Sequence, residues 1–198
     1  MKHIPPALSQ VLRLVVLATI FSTAAYADDY ADVGQLLRSG KQTQALAKAD
    51  AYLATNPRDP QMRFIKGVIL TDSGKTDDAI ATFTQLTQDY PELPEPYNNL
   101  AVLYAAQSQF DKARAALEMA VRTNPSYAIA YENLGDVYAR LAAQSYAKAV
   151  QLDASTSASV TPKLTLIRSM FSSAAKGQKS AAAAPAATAS APAAAKKP

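Results

Sequence analysis

The residue types that most enzymes use for acid–base or nucleophilic chemistry are nearly absent from this sequence. It has no cysteine and no tryptophan, and its single histidine is His3. Ser-His-Asp or Cys-His catalysis, thiolate chemistry and histidine metal sites therefore lack the residues that they need. Two carboxylate pairs remain, Asp28 with Asp29 and Asp77 with Asp78. Because acidic residues interact favourably with the first turn of a helix, we interpret both pairs as structural.

One short segment has the residue types of a phosphate-binding loop. Gly74-Lys75-Thr76 resembles the end of such a loop, in which the lysine and the hydroxyl contact phosphate and Mg²⁺. The motif also needs a glycine five residues before Gly74, where this chain has Ile69, and no strand is predicted before it. We interpret the segment as a turn between helices and expect no catalytic activity, no cofactor and no metal.

The segment 1–27 has the composition of a secretory signal. The start is basic, positions 14–21 form an apolar run, and Ala25-Tyr26-Ala27 is a small-x-small cleavage pattern. This run is too short to cross a bilayer as a permanent anchor. We expect cleavage before Asp28 and export of a chain without an integral membrane anchor. The alternative is an uncleaved N-terminal anchor.

The formal charge of +4 is concentrated at the two ends of the chain. Residues 28–171 contain 14 basic and 16 acidic residues. A body this balanced lacks the basic face that binding to a phosphate backbone requires, so we expect no nucleic-acid partner. Because there is no cysteine, disulfides cannot contribute to stability outside the cytoplasm.

The main feature of the sequence is a set of residues that recurs with a period of 34 positions. The positions that repeat at this period are Ala45, Ala79 and Ala113; Pro57, Pro91 and Pro125; Tyr97 and Tyr131; Tyr104 and Tyr138; and Gly40 and Gly74. Small residues allow two helices to approach closely, and proline ends a helix. Tyrosines seven residues apart share one helix face, where we expect them to fill the gaps between units. Each unit is predicted to be an antiparallel helix pair whose apolar faces are buried by stacking.

This pattern resembles the tetratricopeptide repeat, a 34-residue helix–turn–helix unit. The resemblance implies an all-α fold, a solenoid of helical hairpins. We delimit a degenerate first repeat at 28–59, full repeats at 60–93 and 94–127, and a shortened repeat or continuous helix at 128–153. After it we expect a capping helix at 154–173 and a disordered tail at 174–198. The tail is rich in alanine, proline and lysine.

The fourth unit lacks the turn of a normal repeat. No proline occurs between Ala128 and Asp153, and no glycine follows Gly135 in that stretch. An apolar stripe continues through it without a phase break, so we predict one long helix. The residues of the stripe are Tyr131, Leu134, Tyr138, Leu141, Ser145, Ala149 and Leu152.

The second half of this predicted helix is a candidate docking surface for a partner or a second copy. Its residues are Leu141, Tyr146 and Val150. In the alternative, the capping helix covers this face completely. Val160, Leu164, Ile167 and Phe171 recur at helical spacing in that capping helix.

The resemblance also implies a groove, in which the first helices of successive units receive an extended peptide or a partner's helix. Asn98 and Asn99 could hold a peptide backbone through their amides; in the alternative, Asn99 and Asn133 tie neighbouring units together. The family's carboxylate-gripping mode needs basic residues where this groove has acidic ones. The groove positions are Phe64, Val68, Asn98, Val102, Glu132, Asp136 and Arg140.

These features together predict a non-catalytic scaffold or adaptor of the bacterial cell envelope, located in the periplasm, that binds a peptide or partner protein through its repeats. Two other classes compete with it. A cell-wall or polysaccharide-binding module would need exposed aromatic side chains, whereas most tyrosines here are at packing positions. A small-molecule or lipid carrier would need a closed cavity. The sequence does not encode the identity of the partner.

Overall fold

The computed structural model describes residues 29–181, with side chains described through residue 171. Over these residues all regular structure is helical, which confirms the all-α prediction. Residues 1–28, which include the predicted signal, and residues 182–198 lie outside the described part of the chain. The helices are α1 (residues 29–38), α2 (Gln42–Thr55), α3 (Pro60–Asp72), α4 (Thr76–Asp89), α5 (Pro94–Ala106), α6 (Phe110–Thr123), α7 (Ala128–Leu152) and α8 (Ser157–Ala181), with a 3₁₀ turn at Ala154–Thr156 before α8.

The chain divides into two compact units between Ser73 and Gly74. In the first unit, α1, α2 and α3 enclose a small apolar core. Ala45 and Ala49 on α2 are fully buried, so their small side chains allow neighbouring helices to approach closely. Val33 on α1 and Ile69 on α3 are fully buried in the same cluster.

Asp59 joins α2 to α3 through its carboxylate. Its Oδ1 atom accepts a hydrogen bond from the Met62 N–H at 2.9 Å, which caps α3, and its Oδ2 accepts one from the Tyr52 hydroxyl at 2.9 Å. Burial, and then the hydrogen bond to Asp59, raise the pKa of Tyr30. Burial alone would raise the pKa of Asp59, but hydrogen bonds from Tyr30, the Met62 N–H and Tyr52 together hold it below its ordinary value. The charged carboxylate therefore stabilises the first unit.

In the second unit, α5 and α6 form a closely packed antiparallel hairpin. Ala101 on α5 is buried, and so are Ala113 and Ala120 on α6. Leu103 on α5 and Leu117 on α6 are buried as well. The alanines thus occupy positions where a larger side chain would force the two helices apart.

Helix α7 is unbroken over 25 residues, which confirms the prediction of one long helix in place of a hairpin. Its first half packs on α5 and α6, where Ala130, Leu134 and Val137 are buried. Its second half packs against α8. The helix is about 37 Å long, about twice the length of a helix in a normal repeat.

Helix α8 is the predicted capping helix. Val160 is buried and Phe171 is half-buried, and Pro162 lies inside the helix, five residues after its start at Ser157. The helix extends to Ala181, although we expected a disordered tail from Ala174 onward. Alanine and lysine favour helix, and the next proline is Pro185, so no proline ends the helix earlier. In the part of the chain that the structure describes, no helix is long and apolar enough to cross a membrane.

We predict that Asp59→Asn lowers the free energy of unfolding by about 1–2 kcal/mol at pH 7, because it weakens the cap and removes the charge that three donors surround. The folded pKa of Asp59 lies below its unfolded value. Its stabilisation is therefore complete above the unfolded pKa, near 3.9, and is lost as the pH falls through the folded pKa. The difference between the two proteins should shrink on acidification, as measured by urea unfolding followed by circular dichroism.

Asp72→Asn is the matched control, since it removes the same charge from an exposed side chain of α3. It should leave stability nearly unchanged. A deficit for Asp59→Asn that persists undiminished at pH 3 would contradict a role for the charged carboxylate.

Candidate functional site

Helices α5, α6, α7 and α8 line a cavity in the second unit whose wall is mostly apolar, with a few polar side chains. The cavity has a volume of about 600 Å³. Asn133, Asp136 and Arg140 contribute from α7, Val102 from α5 and Phe171 from α8. Val102 is 47% exposed, so the cavity has an accessible apolar contact.

An asparagine pair links α5 to α7 at this cavity. The Asn133 side-chain amide donates to Oδ1 of Asn98 at 2.8 Å, and Asn98 is a buried polar side chain with 7% exposure. Asn133 therefore does tie neighbouring helices together, but through Asn98. Asn99 instead donates to the Glu95 carbonyl of its own helix at 2.9 Å. The bridge uses the oxygen of Asn98, so it leaves the N–H donors of that amide for another acceptor.

Acidic groups dominate the charge of this region. Glu132 and Asp136 are exposed on α7. On α5, Oε2 of Glu95 is buried and has no hydrogen-bond partner among the described residues. Burial, and then the charge of Glu95, raise the pKa of Tyr127. The buried Glu95 oxygen is not accessible to a ligand, so it is the exposed carboxylates of Glu132 and Asp136 that favour a cationic or N–H-donating one.

Arg140 is the basic residue of the predicted groove, and it contacts an aromatic ring. Its guanidinium carbon lies 3.7 Å from the centroid of the Phe171 ring, within cation–π distance. Phe171 belongs to α8, so this contact fixes α8 against one end of the cavity. From the sequence, Phe171 was expected only on the capping face.

The predicted groove residues are brought together only in part. Asn98, Val102, Asp136 and Arg140 lie in the second unit around the asparagine bridge and the cavity, and Glu132 lies one turn before Asp136 on α7. The remaining two, Phe64 and Val68, are half-buried on α3 in the first unit.

The predicted docking residues Leu141, Tyr146 and Val150 are all half-buried. The Lys163 ammonium of α8 lies 5.3 Å from the centroid of the Tyr146 ring, so α8 covers part of this face. Both alternatives for this face were therefore too extreme, since it is neither open nor completely covered.

The expectation that Tyr131 and Tyr138 fill gaps between units was wrong for Tyr131 and is met only in part by Tyr138, whose hydroxyl donates to Oε1 of Glu118 on α6 at 3.3 Å. They are 50% and 48% exposed, and a Cβ atom added at Gly135 between them would meet no other atom within 4 Å. A normal repeat has a second helix that packs beside these positions. Here that helix is missing because α7 continues straight, so both rings stay about half exposed.

Glu95 and the pairing of Asn98 with Asn133 were not predicted from the sequence. A signal for the pairing was available, because these residues are 35 positions apart, one more than the repeat period. Side chains at nearly equivalent positions of stacked units lie on adjacent helices.

Comparison with known proteins identifies the repeat. Models of the tetratricopeptide repeat family match residues 35–94 and 70–141. The chloroplastic tetratricopeptide repeat domain-containing protein PYG7 of Arabidopsis thaliana is 44% identical over 50 residues, which are 25% of this chain and 17% of PYG7. The chain therefore spans less than a fifth of that relative.

Two solved structures are similar to the structure of this chain. YrrB, described as a TPR protein with an unusual peptide-binding site, has 25% sequence identity and a TM-score of 0.50, with 52% of this chain and 54% of YrrB covered. TTC0263 of Thermus thermophilus, a thermophilic TPR protein, has 22% identity and a TM-score of 0.54, with 73% of this chain and 81% of TTC0263 covered.

Proposed function

Since this chain carries tetratricopeptide repeats over residues 35–141, a repeat that acts in protein–protein interaction and peptide binding, we propose that it is a non-catalytic scaffold or adaptor. Its ligand is an extended, lysine- or arginine-containing segment of a partner protein. That segment lies on the face that α5 and α7 share. The observation that carries the proposal is the asparagine bridge between α5 and α7, which lies beside the exposed carboxylates of Glu132 and Asp136.

The charges support a basic ligand. Glu132 and Asp136 are exposed on α7, one turn apart. Arg140 is held against the Phe171 ring at the end of the cavity. Complementary charge on a ligand gives specificity and faster association, whereas a terminal carboxylate would meet like charge here.

The polar and apolar groups support an extended backbone. A side-chain amide can bond to the carbonyl groups of a bound peptide, and Asn98 is held in place for this by Asn133. Val102 lies beside it and offers an apolar contact to alternate side chains of the peptide. Rigid positioning by the bridge lowers the entropy that binding would otherwise cost.

The cellular setting that we propose is the bacterial cell envelope, most specifically the periplasm. Its support is the pattern of segment 1–27, with a basic start, a short apolar run and Ala25-Tyr26-Ala27. The absence of cysteine from the sequence is compatible with a compartment where free thiols would be oxidised.

We predict that a phage-displayed library of random dodecapeptides, selected on the immobilised protein, becomes enriched in lysine and arginine. The double variant Glu132→Gln with Asp136→Asn should weaken the selected peptide about tenfold in fluorescence anisotropy, because two charge-assisted contacts are lost. Affinity for the unaltered protein should also fall with added salt.

The matched control is Asp77→Asn with Asp78→Asn, which removes two exposed charges from the first turn of α4 in the same unit. It should retain the affinity of the unaltered protein. Equal loss in both double variants, or selection of peptides without basic residues, would overturn the assignment of the α5–α7 face.

We predict that expression of the full chain in a Gram-negative bacterium yields a periplasmic protein whose intact mass begins at Asp28. Ala27→Arg should block processing, because the cleavage site requires a small residue there, and should retain the chain in the membrane fraction. A full-length, unprocessed protein in the cytoplasm would contradict the proposed setting.

A further inference from the structure

Helix α8 runs back along α7 toward the exposed carboxylates of the α5–α7 face. Two contacts set this direction. The Lys163 ammonium of α8 lies 5.3 Å from the centroid of the Tyr146 ring of α7. Phe171, two turns further along α8, contacts Arg140, which precedes Tyr146 on α7. The two helices are therefore antiparallel, and the chain that advances along α8 returns toward Asp136, one turn before Arg140.

The charge of the chain changes sign after Asp153, just before α8. Residues 28–153 contain 12 basic and 16 acidic residues, whereas residues 154–198 contain six basic residues and no acidic one. The last two basic residues, Lys196 and Lys197, belong to the segment 182–198 that follows α8. This segment also contains three prolines, a residue type common in extended ligands of peptide-binding proteins. Its composition is therefore that of the ligand proposed above for the α5–α7 face.

The α5–α7 face has both a donor and two carboxylates available for such a segment. Asn98 is only 7% exposed, and its oxygen accepts from Asn133, but its own amide N–H group has no acceptor among the described residues. A backbone carbonyl of an extended segment would supply that acceptor. Glu132 and Asp136 form no ion pair within the described residues, and Arg140 contacts the Phe171 ring. The carboxylates are thus left to pair with lysines.

The segment is long enough to place its lysines on this face. From Phe171, α8 continues for ten residues to Ala181, a length of about 15 Å. Packed helices lie about 10 Å apart, and Asp136 is about 6 Å from Arg140 along α7. The 15 residues from position 182 to Lys196 span up to about 50 Å. This span exceeds the way back to Asp136 without any change in the helices.

We propose that segment 182–198 is an intramolecular ligand of the α5–α7 face, with Lys196 and Lys197 bound at Glu132 and Asp136. A partner segment must displace it. The inference rests on the function proposed above and adds a regulation of the same site. Exposed ion pairs are individually weak, but a ligand tethered to its own site has an effective concentration on the order of 1 mM. Segment 182–198 therefore screens the face from weakly binding partners and yields to stronger ones.

The first test detects the bound segment directly and needs no partner. A water-soluble carbodiimide joins a lysine amine to a carboxylate in contact with it, and mass spectrometry of the digested monomer identifies the joined residues. Lys196 and Lys197 should be joined to Glu132 and Asp136, at a yield that dilution does not change. The exposed carboxylates in the first turn of α4, in the same unit, should remain unlinked.

The second test measures competition in the full chain. Lys196→Gln with Lys197→Gln should bind the selected basic peptide about three- to tenfold more tightly, because the peptide no longer displaces a tethered ligand. Lys75→Gln with Lys148→Gln is the matched control, since it removes the same charge from exposed lysines of the second unit. It should leave the affinity nearly unchanged in fluorescence anisotropy.

Three results would overturn the inference. These are cross-links spread evenly over the carboxylates of the second unit, cross-links found only in a covalent dimer, and equal peptide affinities of the two double variants. The dimer result would place the segment on a second copy. If no basic peptide is selected, the proposed function fails, and the cross-links still decide where segment 182–198 binds. If the peptide binds but no cross-link to Glu132 or Asp136 forms, only this inference fails.

Discussion

The structure depends on the continuity of the backbone hydrogen bonds of α7 between Arg140 and Ala142. A normal repeat reverses direction there, and reversal needs residues that leave the helix. This segment has neither glycine nor proline, and the alanines at 142 and 143 favour helix. Residues 128–152 therefore form one helix of 25 residues, and the fourth unit has no second helix of its own.

The other features of the second unit follow from that continuity. The first half of α7 still packs as a repeat helix, so Leu134 and Val137 are buried and Asn133 reaches Asn98 on α5. The second half is a surface for α8, which Phe171 attaches to Arg140 at the end of the cavity. The partly covered face at Leu141, Tyr146 and Val150 and the exposure of Tyr131 are thus two consequences of one missing turn.

The fold was largely predictable from the sequence because its determinants are local. Alanines and prolines that recur at the repeat period predict helix pairs, and the lack of a breaker after Gly135 predicts the long helix. Side-chain exposure was less predictable, because it depends on a neighbour. Tyr131 and Tyr138 occupy positions that pack in a complete repeat, but the helix that would cover them is absent.

The side of α7 that α8 covers could not be deduced from the sequence either. The second half of α7 has apolar residues on both sides, Tyr146 on one and Leu152 on the other, so periodicity alone does not decide between them. The structure places α8 against Tyr146 and leaves Leu152 exposed. Similarly, the groove positions followed from the repeat, whereas the bond between Asn98 and Asn133 required the actual separation of α5 and α7.

The continuity of α7 is tested most directly by the distance between spin labels at the exposed positions Asp136 and Gln151. Each is replaced by a labelled cysteine in a chain that has no other cysteine, and labelled chains are diluted with unlabelled ones. A continuous helix predicts about 22 Å between the two backbones, from a rise of 1.5 Å per residue. A hairpin at residues 140–142 would bring the backbones to about 10 Å, the spacing of packed helices, and would contradict the account.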